Sequence, residues 1–568
     1  MAYVINQELC SCCHRCRVEC PAGAVRFRNS KYWIDPEKCI SCGHCAEICH
    51  NNVISNPDAE PAPAVPHPDL DLACDVLVIG GGASGLAAGA RAADLGKKVL
   101  VLEKNREIGG SAWYAHVFRN YYSRWHEEAG LPDTRDQVYR DFMEHTEGHV
   151  DGKLVRRILD ADTGFVDWLI EKYDLGKDYS CGPQFWGGYG PRAEYDWDYN
   201  HRRIDTTIGP GGNGWYLCSR LLDILRKNGG EIRYLTEAEH LLTDDSGAVV
   251  GALARDPGGI LKISCRSCVV AAGAFSRNKE LMARFNPEFY QEGAEPVHVF
   301  TCSTCTGDGI TLCDELGADI DYRNARAGMF GPMRHPFGTA SIAAATSRYG
   351  ILVNAEGSIF DDSGSYGAAV SPLAHEPKRI AWKITNEASI ARAEQESLGR
   401  AEDVPGCDMN RFYRDWKSEL AQEAEWETLY IADTLEELGE KLGIPGGKLE
   451  AAVSAYNRTC GKPEQGMTPG GPVTLPPREP ITSGPYYGIL MKLFHENAIG
   501  GVVIDENTAV LRNGKPVPGL YATGDNTRGI MLPGRVGSDY IESVISALTF
   551  AFSSGFLAGE ESAAHAGS

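Results

Sequence analysis

The stretch Asp75-Val-Leu-Val-Ile-Gly80-Gly-Gly82-Ala-Ser-Gly85 decides how the rest of this 568-residue chain is read. A short apolar strand runs into three glycines, and the helix-like segment LAAGARAADLG follows at once. G-x-G-x-x-G alone is a weak signal, because glycine-rich turns are common. Here a second strand, Lys98-Val-Leu-Val-Leu102, ends in Glu103, 18 residues beyond Gly85. Strand, glycine turn, helix, strand and acid, in that order, describe a Rossmann-type dinucleotide site. Gly80 permits the turn and Gly82 admits a pyrophosphate to backbone N–H groups at the helix start, where Ala83 and Ser84 stand. Gly85 lets helix and strand pack closely, and Glu103 is placed to accept from a ribose hydroxyl.

The chain is too long for a single hydrophobic core, so several domains are expected. Its net charge of −22 argues against nucleic acid as a partner, since phosphate binding needs clustered Lys and Arg. The start MAYVINQELC lacks the basic and apolar regions of a signal peptide, and no run of about 18 apolar residues offers a membrane span. A cytoplasmic location is expected. Residues 56–72, with five prolines, form a semi-rigid spacer ahead of the first strand.

Ahead of the spacer lie nine of the 19 cysteines. Cys10, Cys13, Cys16 and Cys20 follow an x2-x2-x3 spacing, and Cys39, Cys42, Cys45 and Cys49 repeat it. Such spacing lets one loop wrap three thiolates around a cubane cluster while the fourth reaches across to its neighbour. Cys10, Cys13, Cys16 and Cys49 then hold one [4Fe–4S] cluster, and Cys39, Cys42, Cys45 and Cys20 the second. Zinc sites do not need a duplicated series of this kind, and a disulfide scaffold does not suit a reducing compartment. Cys12 is left as a bystander. Residues 1–55 resemble a bacterial-type two-cluster ferredoxin, with His50 standing where proline is usual.

Four later segments resemble the FAD-binding elements of the fumarate reductase and succinate dehydrogenase flavoprotein superfamily, which also holds ketosteroid dehydrogenases and urocanate reductases. They are Glu103-Lys104 through Gly109-Gly110-Ser111, Val269 through Ala272-Gly273, the Thr306-Gly-Asp308-Gly turn, and Pro518 through Gly524-Asp525. The resemblance implies an α/β fold: a Rossmann-like FAD domain interrupted by an α+β capping domain, with a small α+β ferredoxin domain in front. The expected divisions are 1–55 ferredoxin, 56–72 spacer, 73–322 FAD domain, 323–480 cap, 481–560 FAD domain again, and 561–568 tail. FAD is expected to be noncovalent, because His116 is displaced from the usual attachment position.

The same resemblance implies that fumarate is not the substrate. The family's second carboxylate-clamping arginine corresponds to Arg535, but no arginine follows Ile351–Phe360 where the proton donor usually stands. Tyr366 is the positional substitute, with Tyr540 and Tyr349 as rivals. The family's second histidine aligns with Glu496, leaving His495 one position away. The two further pairs, Cys265/Cys268 and Cys302/Cys305, read as ordinary positions that hold cysteine.

The expected activity is reduction of an activated C=C bond in a small unsaturated substrate, an enone or unsaturated acid, by hydride from FAD. Electrons would arrive through the clusters from a ferredoxin, a flavodoxin or an NADH-linked reductase. The reverse dehydrogenase uses the same parts, and an electron-transfer subunit serving a partner enzyme is the remaining reading. Self-association into a homo-oligomer is compatible with the sequence.

Overall fold

The computed structural model describes residues 2–13, 15–28, 31–59, 66–115, 117–128, 132–145, 150–174, 180–182, 204–207, 214–285, 287, 298–299, 301–322, 330–331, 350–361, 373, 376, 379–392, 420–421, 424–425, 427–461, 464–468, 471–475, 478–495, 498, 500–530 and 547–567. At its centre, strand Val76–Ile79 is buried along its whole length. Leu77 and Ile79 enter one core, Val76 and Val78 another. Successive strand residues point to opposite faces, so a strand apolar at every position must be covered on both sides. Val99–Leu102 divides the same way, with Leu100 and Leu102 on one face and Val99 and Val101 on the other.

These two strands belong to a six-stranded sheet. Its order is Glu231–Arg233, Val99–Leu102, Val76–Ile79, Ser267–Val270, Lys515–Ala522 and Ala509–Arg512. The first five pair in parallel, and the last is antiparallel. Helix Ala83–Asp94 lies against helices Gly214–Lys227 and Ala547–His565. The crossing with the final helix is close because Gly555 and Gly559 carry no side chain. A Cβ there would lie 2.3 Å from the Ser84 carbonyl oxygen and 2.5 Å from that of Ala88. That helix extends through most of the segment expected to be a tail. The spacer also ends inside the fold, since Leu70–Ala73 is an edge of a four-stranded sheet beside strand Gly259–Ser264.

A separate seven-stranded sheet is built around Tyr486–His495, which pairs with Ile380–Asn386, Leu429–Ala432, Phe330–Gly331 and His298–Val299. Helices Leu435–Leu442 and Lys448–Asn457 share a core with it. Its central strand lies beyond the 480/481 division expected from sequence. The N-terminal domain has two antiparallel pairs, Val4–Ile5 with Ile54–Ser55 and Val25–Arg28 with Lys31–Ile34, around a small core of its own. No helix among the described residues is long and apolar enough to cross a membrane.

Candidate functional site: a dinucleotide cavity met by a thiol-rich domain

Strand Val76–Ile79 delivers the glycine turn to the carboxyl edge of the parallel sheet. Gly80 has φ +112°, and a Cβ there would lie 2.3 Å from the Ala271 carbonyl oxygen. At Gly85 a Cβ would lie 1.9 Å from the Gly80 carbonyl oxygen, so helix and turn touch backbone to backbone. Gly82 differs: its Cβ would meet nothing closer than the Gly109 carbonyl oxygen at 4.0 Å. The space in front of the helix start is therefore open, as a phosphate facing free N–H groups requires.

That space is part of a cavity of about 130 Å³, running from Glu103 and Thr236 to Ser111, Cys305 and Asp525. Glu103 is buried, which pushes its carboxyl up, while the N–H groups of Asn105 and Gly81 hold it down with bonds of 2.7 and 2.8 Å. Lys104 donates to Thr306 at 2.6 Å and pairs with Asp308, fixing the Thr306–Gly309 turn at the wall. Ala83, Ser84, Gly109, Gly110, Ala272 and Gly273 also line the cavity. Gly85 and Gly524 stand behind it; a Cβ on Gly524 would lie 2.5 Å from Ser84 Oγ.

Three parts of the lining were not assigned to the site from sequence. Thr236–Ala238 is placed by an N–H bond of 3.0 Å from Thr236 to the Glu103 carbonyl. Leu548 and Ala551 come from the final helix. Cys305 lies with its Sγ 3.1 Å from Ser111 Oγ. Arg535, Tyr366, Tyr540, Tyr349 and His116 lie outside the described residues. His495 ends the central strand of the second sheet, its backbone paired with Val299.

The thiols of the N-terminal domain fall into two neighbourhoods. Burial pushes the Cys13 thiol up to about 12, and Cys10 and Cys49 add to the effect. Burial pushes Cys45 up to about 11, and there the thiols that act on it are Cys20, Cys39 and Cys42. The first neighbourhood joins Cys10 and Cys13 to Cys49 of the other run, and the second joins Cys39, Cys42 and Cys45 to Cys20, thiolate chemistry of the kind an iron–sulfur group takes. Cys12 is buried, with its N–H 3.4 Å from Cys10 Sγ.

This domain is docked on the cavity wall. His50 is buried and stacks on Trp113 with centroids 5.2 Å apart. Its Nε2 lies 3.1 Å from the Gly110 carbonyl oxygen and 3.8 Å from Cys302 Sγ. Arg106 donates to the carbonyls of Ala46, Glu47 and Cys49, at the end of helix His44–Glu47 where a cation is favoured. Ser303 donates its hydroxyl to the Asn51 carbonyl at 2.8 Å and its N–H to Asn51 Oδ1 at 2.9 Å. The two later CxxC pairs do not meet: Cys265 and Cys268 lie in the core on one face of the parallel sheet, Cys302 and Cys305 beside Trp113.

A family model described as FAD binding domain matches residues 75–537, and one described as 4Fe-4S binding domain matches residues 32–55. A fumarate reductase (cytochrome) of Shewanella frigidimarina is 27% identical over 503 residues, covering 86% of this chain and 77% of the relative. A urocanate reductase of Eggerthella lenta is 25% identical over 492 residues, covering 83% and 72%. The open conformation of a flavocytochrome c3 fumarate reductase superposes with a TM-score of 0.64 at 23% identity, over 87% of this chain and 79% of that one. The chain belongs to the FAD-binding flavoprotein family of fumarate reductase type, a family of FAD-dependent oxidoreductases, and carries a 4Fe–4S domain ahead of its FAD domain.

Proposed function

We propose that the protein is an iron–sulfur flavoenzyme that reduces the activated C=C bond of an enone or unsaturated acid other than fumarate, with electrons fed through two [4Fe–4S] clusters. The observation that carries this reading is the contact between His50 and Gly110, which sets the thiol-rich domain directly on the cavity wall. When bound, noncovalent FAD supplies hydride to one carbon of the double bond, and the clusters supply single electrons.

The chain's own residues have separate tasks. Cys10, Cys13, Cys16 and Cys49 hold one cluster, and Cys39, Cys42, Cys45 and Cys20 the other. Glu103 accepts from the ribose, Gly82 leaves room for the pyrophosphate, and Asp525 faces the ribityl chain. Arg535 clamps a carboxylate or polarises a carbonyl. Tyr366, with Tyr540 as its rival, gives the proton, and His495 stands near the substrate. The relatives named above act on fumarate and on urocanate, so the family frame accepts different unsaturated substrates, and the side chains around them decide. The family's Thr-Glu pair, part of its dicarboxylate clamp, aligns here with Ile342-Ala343, whose side chains offer no donor to a second carboxylate. The electron donor is a ferredoxin, a flavodoxin or an NADH-linked reductase, in the cytoplasm.

The test is anaerobic. Dithionite-reduced holoprotein is mixed with a panel of enones and enoates, and reoxidation is followed by absorbance. Reoxidation by at least one panel member, with fumarate inactive, is expected. No reoxidation by any of them would sink the reading.

A further inference from the structure

The two thiol neighbourhoods are not equivalent in their surroundings. Cys42, in the Cys39–Cys45 group, is exposed, and so are its neighbour Ile40 (66%) and, on strand Lys31–Ile34 of the same domain, Trp33 (41%). The other group faces inward. Cys13 packs against the small core of Trp113, Cys302 and Cys305. Cys49 is followed directly by His50, which is buried and stacked on Trp113. Cys305 in turn contacts Ser111, and both line the dinucleotide cavity. Arg277 closes the side of this junction, donating to the Glu8 carbonyl at 3.1 Å and the Thr301 carbonyl at 3.0 Å.

We propose that the site formed by Cys10, Cys13, Cys16 and Cys49 is the one that passes electrons to the flavin. They cross a dry bridge of His50, Trp113, Cys302 and Cys305, while the Cys39–Cys42–Cys45–Cys20 site faces outward to take electrons from a donor protein. This deepens the electron-inlet reading above and rests on it. Electron transfer falls steeply with the gap crossed and is faster through packed atoms than through water. The bridge supplies such packing: two stacked rings and two thiols fill the space between the Cys13–Cys49 neighbourhood and the cavity wall. No bond at the bridge forms or breaks; one electron passes at a time. The bridge also gives His50 a use at the position where proline is usual. The imidazole bonds the Gly110 carbonyl, which a proline ring could not do.

The experiment needs no organic substrate. Holoprotein is mixed anaerobically with a reduced bacterial ferredoxin, which is too large to enter the cavity. Cluster bleaching and flavin bleaching are followed as separate phases, alongside iron and FAD content. Trp113→Leu should keep iron and FAD yet slow the flavin phase about tenfold, roughly 1.4 kcal/mol of barrier. Trp113→Phe, which restores a ring, should recover most of the rate. Trp33→Leu should slow the cluster phase and leave the cluster-to-flavin step that follows it at the wild-type rate. If Trp113→Leu loses FAD, Cys305→Ala replaces it and must show the same slow flavin phase.

A flavin phase left unchanged by Trp113→Leu, or in its place by Cys305→Ala, overturns the assignment. So does a flavin phase slowed by Trp33→Leu while the cluster phase stays at the wild-type rate. Clusters that bleach while wild-type flavin does not would instead overturn the electron-inlet reading itself.

Discussion

A methyl group added at Gly85 would sit 1.9 Å from the Gly80 carbonyl oxygen and 3.0 Å from its carbon, against backbone that cannot step aside. Gly85→Ala should therefore cost at least the 1–3 kcal/mol typical of overpacking, at about that order, and yield little folded protein. Gly82→Ala is a different experiment in the same turn. With nothing nearer than 4.0 Å, the fold should be unchanged by circular dichroism. The added methyl occupies the space given to the pyrophosphate, so FAD retained after gel filtration should fall sharply. Equal FAD content in Gly82→Ala and wild type would show that the phosphate lies elsewhere. Cys12 offers a matching contrast among the thiols. It has φ +53° and bonds Cys10 through its backbone N–H, which serine keeps. Cys12→Ser should retain the wild-type iron content, whereas Cys13→Ser should lose a substantial part of it.

Helix Gly152–Tyr173 carries a prediction of its own. Asp162 is buried within it, accepting from the Tyr121 N–H at 3.0 Å and from Asn120 Nδ2 at 2.9 Å, which ties the helix to strand Val117–Asn120. Burial pushes this carboxyl from 3.8 up to about 8, more than those two donors offset. The folded state thus holds the proton that the unfolded state releases. The stability it contributes is full below the unfolded value, declines as pH rises, and is lost once pH passes about 8. The slope is about 1.4 kcal/mol per pH unit across that window. Asp162→Asn is neutral at every pH, so its melting temperature should exceed that of wild type increasingly from pH 5 to pH 8 and then run parallel to it. Parallel curves throughout would show that Asp162 is ionised in the fold. The parallel sheet and the glycine turn were legible in the sequence because strand, turn and helix each have a local signal. Asp162 was not, since a buried acid looks like any other helix acid until the strand it bonds is known. The same holds for Thr236 and Leu548 in the cavity wall, which tertiary packing brings there from distant elements.

At the scale of the molecule, the repeated cysteine spacing already predicted an electron inlet, but nothing in the spacing said where the inlet would dock. That depends on contacts between residues far apart in sequence, such as His50 with Gly110 and Arg106 with Ala46. Arg106→Ala removes three charge-assisted bonds to the end of the short helix, so amide exchange across Ile48–Val53 should quicken while FAD content stays constant. The matched 4Fe–4S segment, residues 32–55, contains only the second cysteine run, and the first run enters through the repeat. Reducing equivalents settle whether both runs are loaded. Flavin takes two electrons and each [4Fe–4S] cluster one, so a dithionite titration of holoprotein should consume about four electrons per chain, with iron near about eight. A single cluster would give about three electrons and half the iron. On the ligand sets proposed above, each site takes its fourth thiol from the other run, and Cys20 acts on Cys45, so a variant at Cys20 should disturb the group around Cys45 rather than the group around Cys13. In a Cys20→Ser protein the titration should therefore lose up to one electron per chain, taken from the outward-facing site, and the flavin phase driven by the remaining cluster should persist.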